Sequence, residues 1–253
     1  MKPRPGLFGY GFAARRIWYF VFACVLCGQL WPFVCSAQVL TISKVDHNDV
    51  TDDVVREILT TAYQRIGVTL VFKELPAARA LAESSGGIVD GEFQRRGGLS
   101  ATYPDLLQIN IPVNWLDFCV FTRDANFKPN GWKSLQPYHI GYHRGIVVIE
   151  EGTKGMNVDP ADTNELVMRK LFAGRTDIAV MNSIDGQLLL RNMSDKSIHM
   201  LMPPVEHLQL YHYLNRKNAD IAKKLEKALL AMQADGSIVA IRKRILATAG
   251  IHE

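Results

Sequence analysis

Residues 39–93 read VLTISKVDHNDVTDDVVREILTTAYQRIGVTLVFKELPAARALAESSGGIVDGEF, and their alternation decides the fold. Val39–Ser43 has the length and pattern of a short strand. Thr51 is placed to cap a helix, with Asp52 and Asp53 in its positive first turn. Val55, Ile58, Leu59, Ala62 and Ile66 follow at helical spacing, and Gly67 stops the run. Val68–Phe72 is a β-branched, buried-type strand. Pro76 opens a second helix over 77–84, Gly86-Gly87 ends it, and Ile88–Phe93 reads as a third strand. A β-α-β-α-β order predicts a parallel sheet with helices packed on it.

The pattern continues toward the C-terminus. Residues 94–108 are irregular, and Ile109–Thr122 is an extended run interrupted by Pro112, long enough to carry the chain out of a first lobe. After a loop-rich stretch with Pro129, Asn130-Gly131 and Pro137, a second α/β pattern begins. It has strands at His139–Tyr142 and Asp177–Met181, with the apolar run Ile146–Ile149 between them. Asp162 and Glu165 have capping-box spacing for a helix over 164–173, with Val167, Met168, Leu171 and Phe172 on one face. A helix over 183–191 and strands at Ile198–Met202 and Leu208–Leu214 follow. Ile221, Ala222, Leu225, Ala228, Leu229 and Met232 then form an amphipathic stripe closed by Gly236, and Ile238, Ile241 and Ile245 mark a final helix.

Ahead of this lies a segment of another kind. Residues 1–16 carry Lys2, Arg4, Arg15 and Arg16 and no acid, residues 17–34 carry no charge, and Cys35-Ser36-Ala37 offers a small-residue cleavage site. That is the pattern of a secretory signal peptide over 1–37. An uncleaved membrane anchor is the alternative, since the apolar run is close to the length of a span. A lipoprotein box at Val21–Cys24 and a twin-arginine signal at Arg15-Arg16 are partial matches only. The segment holds four of the 29 basic residues and none of the 25 acids, so the formal charge of +4 belongs to it. The rest is formally neutral, which removes the electrostatic argument for a nucleic-acid partner. Three of the four cysteines also lie in it, leaving Cys119 without a partner for an intramolecular disulfide.

No G-x-S-x-G elbow, H-E-x-x-H, Walker loop or C-x-x-C pair occurs after residue 37. His139 and His143 sit on a strand-turn, where their spacing does not aim both rings at one metal; His207 and His212 fall on opposite faces of a strand. Neither cofactor nor metal is expected, and Cys119 reads as a buried thiol. Arg79 sits in the first turn of a helix, where a cation opposes the dipole and needs another reason to be present; a surface arginine is the alternative. Glu92 and Arg95 flank the end of a parallel strand, the place where open α/β sheets gather ligands, or they pair with each other. Tyr103, Trp115 and Trp132 are candidates for pocket walls, or for packing.

The motif order resembles the bacterial extracellular solute-binding proteins of family 3, the amino-acid-type receptors of ABC transporters, in a divergent branch. LPAARAL at 75–81 with GIVDGE at 87–92 resembles the first-lobe segment. LFAGRTDIAV at 171–180 matches "LxxGRxDxxV", and Leu225–Ile241, with ADGS at 234–237, matches the C-terminal helix pair. The resemblance implies a two-lobed periplasmic-binding-protein-like fold of type II, its lobes joined by two crossover strands around a ligand cleft. Lobe 1 would be 38–122 with 209–253, and lobe 2 would be 123–208. It implies hinge closure on a small molecule, no catalysis, presentation to an ABC transporter permease, and a monomer in the periplasm. The family's Thr-x-x-Arg arginine has no clear copy, with Arg79, Arg95 and Arg96 nearby. Its ammonium-binding aspartate is replaced by Asn182, with Asp185 three residues on, and Ile146 follows Gly145 where Ser or Thr often faces the ligand. Arg144 precedes that turn. The expected site is therefore Arg79, Glu92, Arg95, Tyr103, Trp115, Arg144, Asn182 and Asp185, gripping a small polar metabolite, amino-acid-like or an organic anion. Two alternatives stay open: a sensory receptor without a transporter, and an enzyme on the same fold with Glu92 as general acid.

Overall fold

The computed structural model describes residue 1 and residues 38–45, 50–193 and 197–251. The expected signal peptide lies outside the described residues. In chain order the elements are β1 (Gln38–Val45), α1 (Val50–Gln64), β2 (Val68–Leu75), α2 (Ala77–Ser85), β3 (Gly91–Arg96) and β4 (Leu106–Thr122). Then come β5 (Ile140–His143), α3 (Val147–Gly152), β6 (Val158–Ala161), α4 (Asn164–Phe172), β7 (Ile178–Asn182) and α5 (Ser183–Asn192). The chain ends with β8 (His199–Asn215), α6 (Ala219–Ala234) and α7 (Ser237–Thr248).

The strands form a single curled sheet of order β2-β1-β3-β8-β4-β7-β5-β6. β1 pairs in parallel with β2 and β3, as the opening alternation predicts, and β5 pairs in parallel with β6 and β7. The two parallel halves are joined through β4 and β8, each 17 residues long and antiparallel to one another. Register shifts near Pro112 fit a residue with no N–H to give to the ladder.

Core membership shows what the long strands do. Ile109 and Val113 of β4 and Leu214 of β8 pack with α1, α6 and α7 in a first cluster. Farther along β4, Phe118 and Val120 join Ile140, Ile178 and Val205 in a second cluster. Cys119 and Phe121 point the other way and join Val167, Met168 and Leu171 in a third. That split is the two-residue period of a strand buried on both faces. In α6 the buried Ile221, Leu225, Leu229 and Met232 recur at helical spacing, and each contributes about 1.5–3 kcal/mol by leaving water. These two halves are the lobes of a two-lobed α/β fold.

The local differences from expectation have physical causes. Thr51 lies inside α1, which already includes Val50. β3 begins only at Gly91, because Ile88 to Asp90 complete the turn in which Ile88 N donates to Glu83 O. The cap of α4 is Thr163, whose hydroxyl accepts from Leu166 N, while Asp162 faces Arg144 at 3.7 Å. Phe172 is largely exposed. The apolar run after Gly145 becomes the short helix α3, and β6 has no counterpart in the sequence reading. The two strands expected at 198–202 and 208–214 are one strand, β8, which runs unbroken through the expected lobe boundary at 208/209. Pro203 and Pro204 argue against a strand by composition; the β4–β8 ladder shifts register there, between Leu201 and Glu206, and pairing with β4 resumes on both sides of them.

Candidate functional site

Between the two halves of the sheet lies a cavity of about 480 Å³, the size of a small-molecule pocket. One wall comes from Gln94, Arg95 and Arg96 of β3 with Leu81 and Leu99. Ile146, Val147 and Val148, at the start of α3, face it from the other half, and Leu116, Phe118, Leu208 and Leu210 of the crossing strands form its back. A smaller space of about 330 Å³ continues from it along Gly97, Gly98 and Thr102.

Most of this surface is apolar, and its polar groups are concentrated on β3. Glu92 is buried beneath it at 1% exposure and is clamped by Arg95, whose Nε and Nη2 reach its two carboxylate oxygens at 3.2 Å each. Nη2 also donates to Ala77 O at 3.0 Å, and Ser84 Oγ donates to Glu92 at 3.3 Å. Burial raises the Glu92 carboxyl above its ordinary range, against the pull of Arg95 and the serine hydroxyls. Gln94 turns its amide inward: Oε1 accepts from Asn114 at 2.9 Å and Nε2 donates to Asp52 at 3.2 Å. Behind it runs a buried polar chain. Lys44 pairs with Asp52 at 2.9 Å, and Arg242 donates to Asn114 Oδ1 at 2.6 Å while stacking over the Trp115 ring at 4.1 Å. Arg96 reaches across to Glu151 of α3 at 3.6 Å, an exposed ion pair linking the two sides of the cavity.

Of the eight expected site residues, the structure brings Arg95 to the cavity wall and Glu92 directly behind it. The other six are engaged elsewhere. Arg79 is exposed and pairs with Glu83 one turn on at 2.8 Å, which supplies the reason a cation tolerates that helix position. Lys73 and Arg79 together hold the Glu83 carboxyl below the usual range. Trp115 packs on the first core against Arg242; its neighbour Leu116 has the opposite face and lines the cavity. Tyr103 is half-buried, its backbone closing the turn from Leu99 to Leu106. Arg144 is exposed and faces Asp162. Asn182 caps α5 by accepting from Ile184 N at 3.2 Å, and Asp185 accepts from Asn164 at 3.3 Å. Trp132 donates from its indole nitrogen to Glu206 at 2.9 Å. The pocket is thus far less polar than the expected one. Its aliphatic wall was not foreseen, except that Ile146 stands where a hydroxyl residue faces the ligand in the family resembled.

Among the described residues no group of three His, Cys, Asp or Glu could hold a metal ion. Cys119 is fully buried, and burial pushes its thiol up to about 12, with the Asp117 charge adding to the shift. No helix among the described residues is long and apolar enough to cross a membrane.

No protein-family profile matches the chain, and no curated protein matches it in sequence. Solved structures do match in fold. One is ytmK of Bacillus subtilis, described as a probable amino-acid ABC transporter extracellular-binding protein. It is 16% identical, with 83% of this chain and 99% of that chain covered and a TM-score of 0.64. Another is a histidine kinase sensor domain with similarity to periplasmic binding proteins, 17% identical over 82% and 96% of the two chains, TM-score 0.59. A third is the periplasmic VFT2 domain of BvgS from Bordetella pertussis, 16% identical over 92% and 98%, TM-score 0.58. The chain therefore has the two-lobed periplasmic-binding-protein-like fold.

Proposed function

We propose that this chain is an exported solute-binding protein that captures a small molecule between its lobes by hinge closure and presents it to a membrane transporter. One observation carries the reading: a cavity is walled by both halves of the sheet and backed by the two strands that join them. A ligand there touches both lobes at once, so its contacts stabilise the closed arrangement selectively, which is what a binding switch requires. The ion pair Arg96–Glu151 belongs to the same closed arrangement. Residues 1–37 supply the export signal, the mature protein works in the periplasm as a monomer, and no catalytic step is assigned.

A thermal-shift screen of amino acids, organic acids and short peptides should find a stabilising ligand, and small-angle scattering should show compaction when it binds. No stabilisation across the panel would count against solute capture. The likeness to a histidine kinase sensor domain favours a second reading, in which closure is read by a signalling partner instead of a permease. Co-purification of the ligand-bound protein with a permease or with a receptor separates the two.

A further inference from the structure

Building on that reading, we propose that the cavity takes a small carboxylate with an apolar body and no amino group, such as a branched or aromatic monocarboxylate. Two features of the site lead there. The first is what holds a carboxylate. Glu92 and Ala77 engage Nε and Nη2 of Arg95, and among the described residues Nη1 has no bond. Because the guanidinium is rigid, fixing one edge on a buried carboxylate aims the remaining terminal nitrogen in a set direction. Glu92 is thus a positioning residue. Arg96 beside it is held by Glu151 only at 3.6 Å, with both side chains more than half exposed. An exposed pair of that kind is worth little, so a ligand carboxylate can replace it.

The second feature is what could hold an ammonium. Among the described residues no acid lines the cavity. Glu92 lies behind Arg95 with its oxygens already taken, Asn182 and Asp185 are bonded within the far half, and Gln94 spends its amide on Asn114 and Asp52. Glu151, held by Arg96 across the cavity, is more than half exposed, so a ligand ammonium within the apolar space would lose its water and find no buried counter-charge, which is strongly unfavourable. The rest of the ligand meets Leu116, Phe118, Ile146, Val147, Leu208 and Leu210, which suit an aliphatic or aromatic group.

Matched pairs test this directly. Titration calorimetry on the purified protein compares 3-phenylpropionate with phenylalanine, and 4-methylpentanoate with leucine. The amine-free acid should bind about 30-fold or more tightly than its amino acid, the factor expected when one charge is left unpaired. The neutral 3-phenylpropionamide keeps the shape, loses the charge, and should also bind far more weakly. Arg95→Met should abolish binding of the acid, and Arg96→Met should weaken it. Because Arg95→Met leaves Glu92 unpaired, the amide comparison stands as the test that needs no variant. Equal or tighter binding of the amino acids overturns the proposal and leaves solute capture intact. So does a wider screen that finds ligands only among other classes. Failure of every compound to bind or to raise the melting temperature removes both.

Discussion

Replacing His212 by glutamine should abolish a loss of stability that the native protein suffers on acidification. His212 lies on β8, fully buried, and its two ring nitrogens have different partners. Nδ1 is 3.2 Å from Phe93 O, which can only accept, so Nδ1 carries the proton. Nε2 therefore accepts from the Tyr63 hydroxyl at 2.8 Å. Both bonds suit a neutral ring. Burial lowers the pKa from its ordinary 6.5 to about 4, against the carbonyls of Phe93 and Glu92, which favour the charged form. The unfolded chain then binds a proton near pH 6.5 that the folded chain refuses until about pH 4. In that window the unfolded state holds more protons, so stability rises with pH. It is complete above pH 6.5, falls as pH drops toward about 4, and has no further His212 dependence below that.

The size follows from the two pKa values. Between pH 7.5 and 4.5 the linkage amounts to about 2–3 kcal/mol. A glutamine amide in that place can donate to Phe93 O and accept from Tyr63 without titrating, so the His212→Gln protein is the control. Urea unfolding at both pH values gives the measurement. Carboxylates titrate in both proteins and cancel in the difference, which should show the wild type losing about 2–3 kcal/mol more than the variant. Equal losses, or an NMR titration of folded His212 near its ordinary value, would refute the reasoning.

Other outcomes follow from the packing. A Cβ at Gly186 of α5 would lie 2.0 Å from Phe121 Cζ, so Gly186→Ala should lower stability despite better helix propensity. A cost of about 1–3 kcal/mol in urea unfolding is expected for such overpacking, and a stabilised variant would contradict it. Asp52→Ala takes the 2.9 Å partner from buried Lys44 but leaves it Glu74 at 3.6 Å, and should cost about 1–3 kcal/mol, whereas replacing Lys44 and Asp52 together by apolar residues should cost less. Equal damage from the single and double changes would show that the pair is not the cause. The Cys119 thiol should ignore a disulfide reagent at pH 8 in the folded protein and react fully in denaturant; fast native labelling would contradict its burial.

The fold was legible because its signals are local. The alternation over 39–93 has helical and strand periods side by side, with Gly67 and Pro76 punctuating them. The parallel pairing of β1 with β2 and β3 follows from connection lengths alone. β8 was illegible as one strand because Pro203 and Pro204 speak against a strand locally, while its pairing with β4 is long-range.

The pocket failed to show in the sequence for a sharper reason. Charged and aromatic side chains drew the reading, yet a charge reveals its sign and not its partner. Arg79, Arg144 and Asp185 each found a neighbour outside the cavity, and only the fold decides which neighbours are near. The apolar wall was hidden in another way. Trp115 and Leu116 are consecutive residues of one strand, and the period of two sends them to opposite faces. Arg242 of α7 covers the face of Trp115, which makes it core, while Leu116 is only partly covered by the second cluster and borders the cavity. Leu208 and Leu210 of β8 present the same ambiguity. A leucine on a strand that crosses between lobes reads identically whether it is meant for a helix or for a ligand. The informative residue in such a chain is therefore the absence of an expected one: Asn182 in place of an acid, and Ile146 in place of a hydroxyl. Ile146 takes polarity from the cavity wall, Asn182 caps α5 away from it, and the structure puts aliphatic side chains around the space that remains.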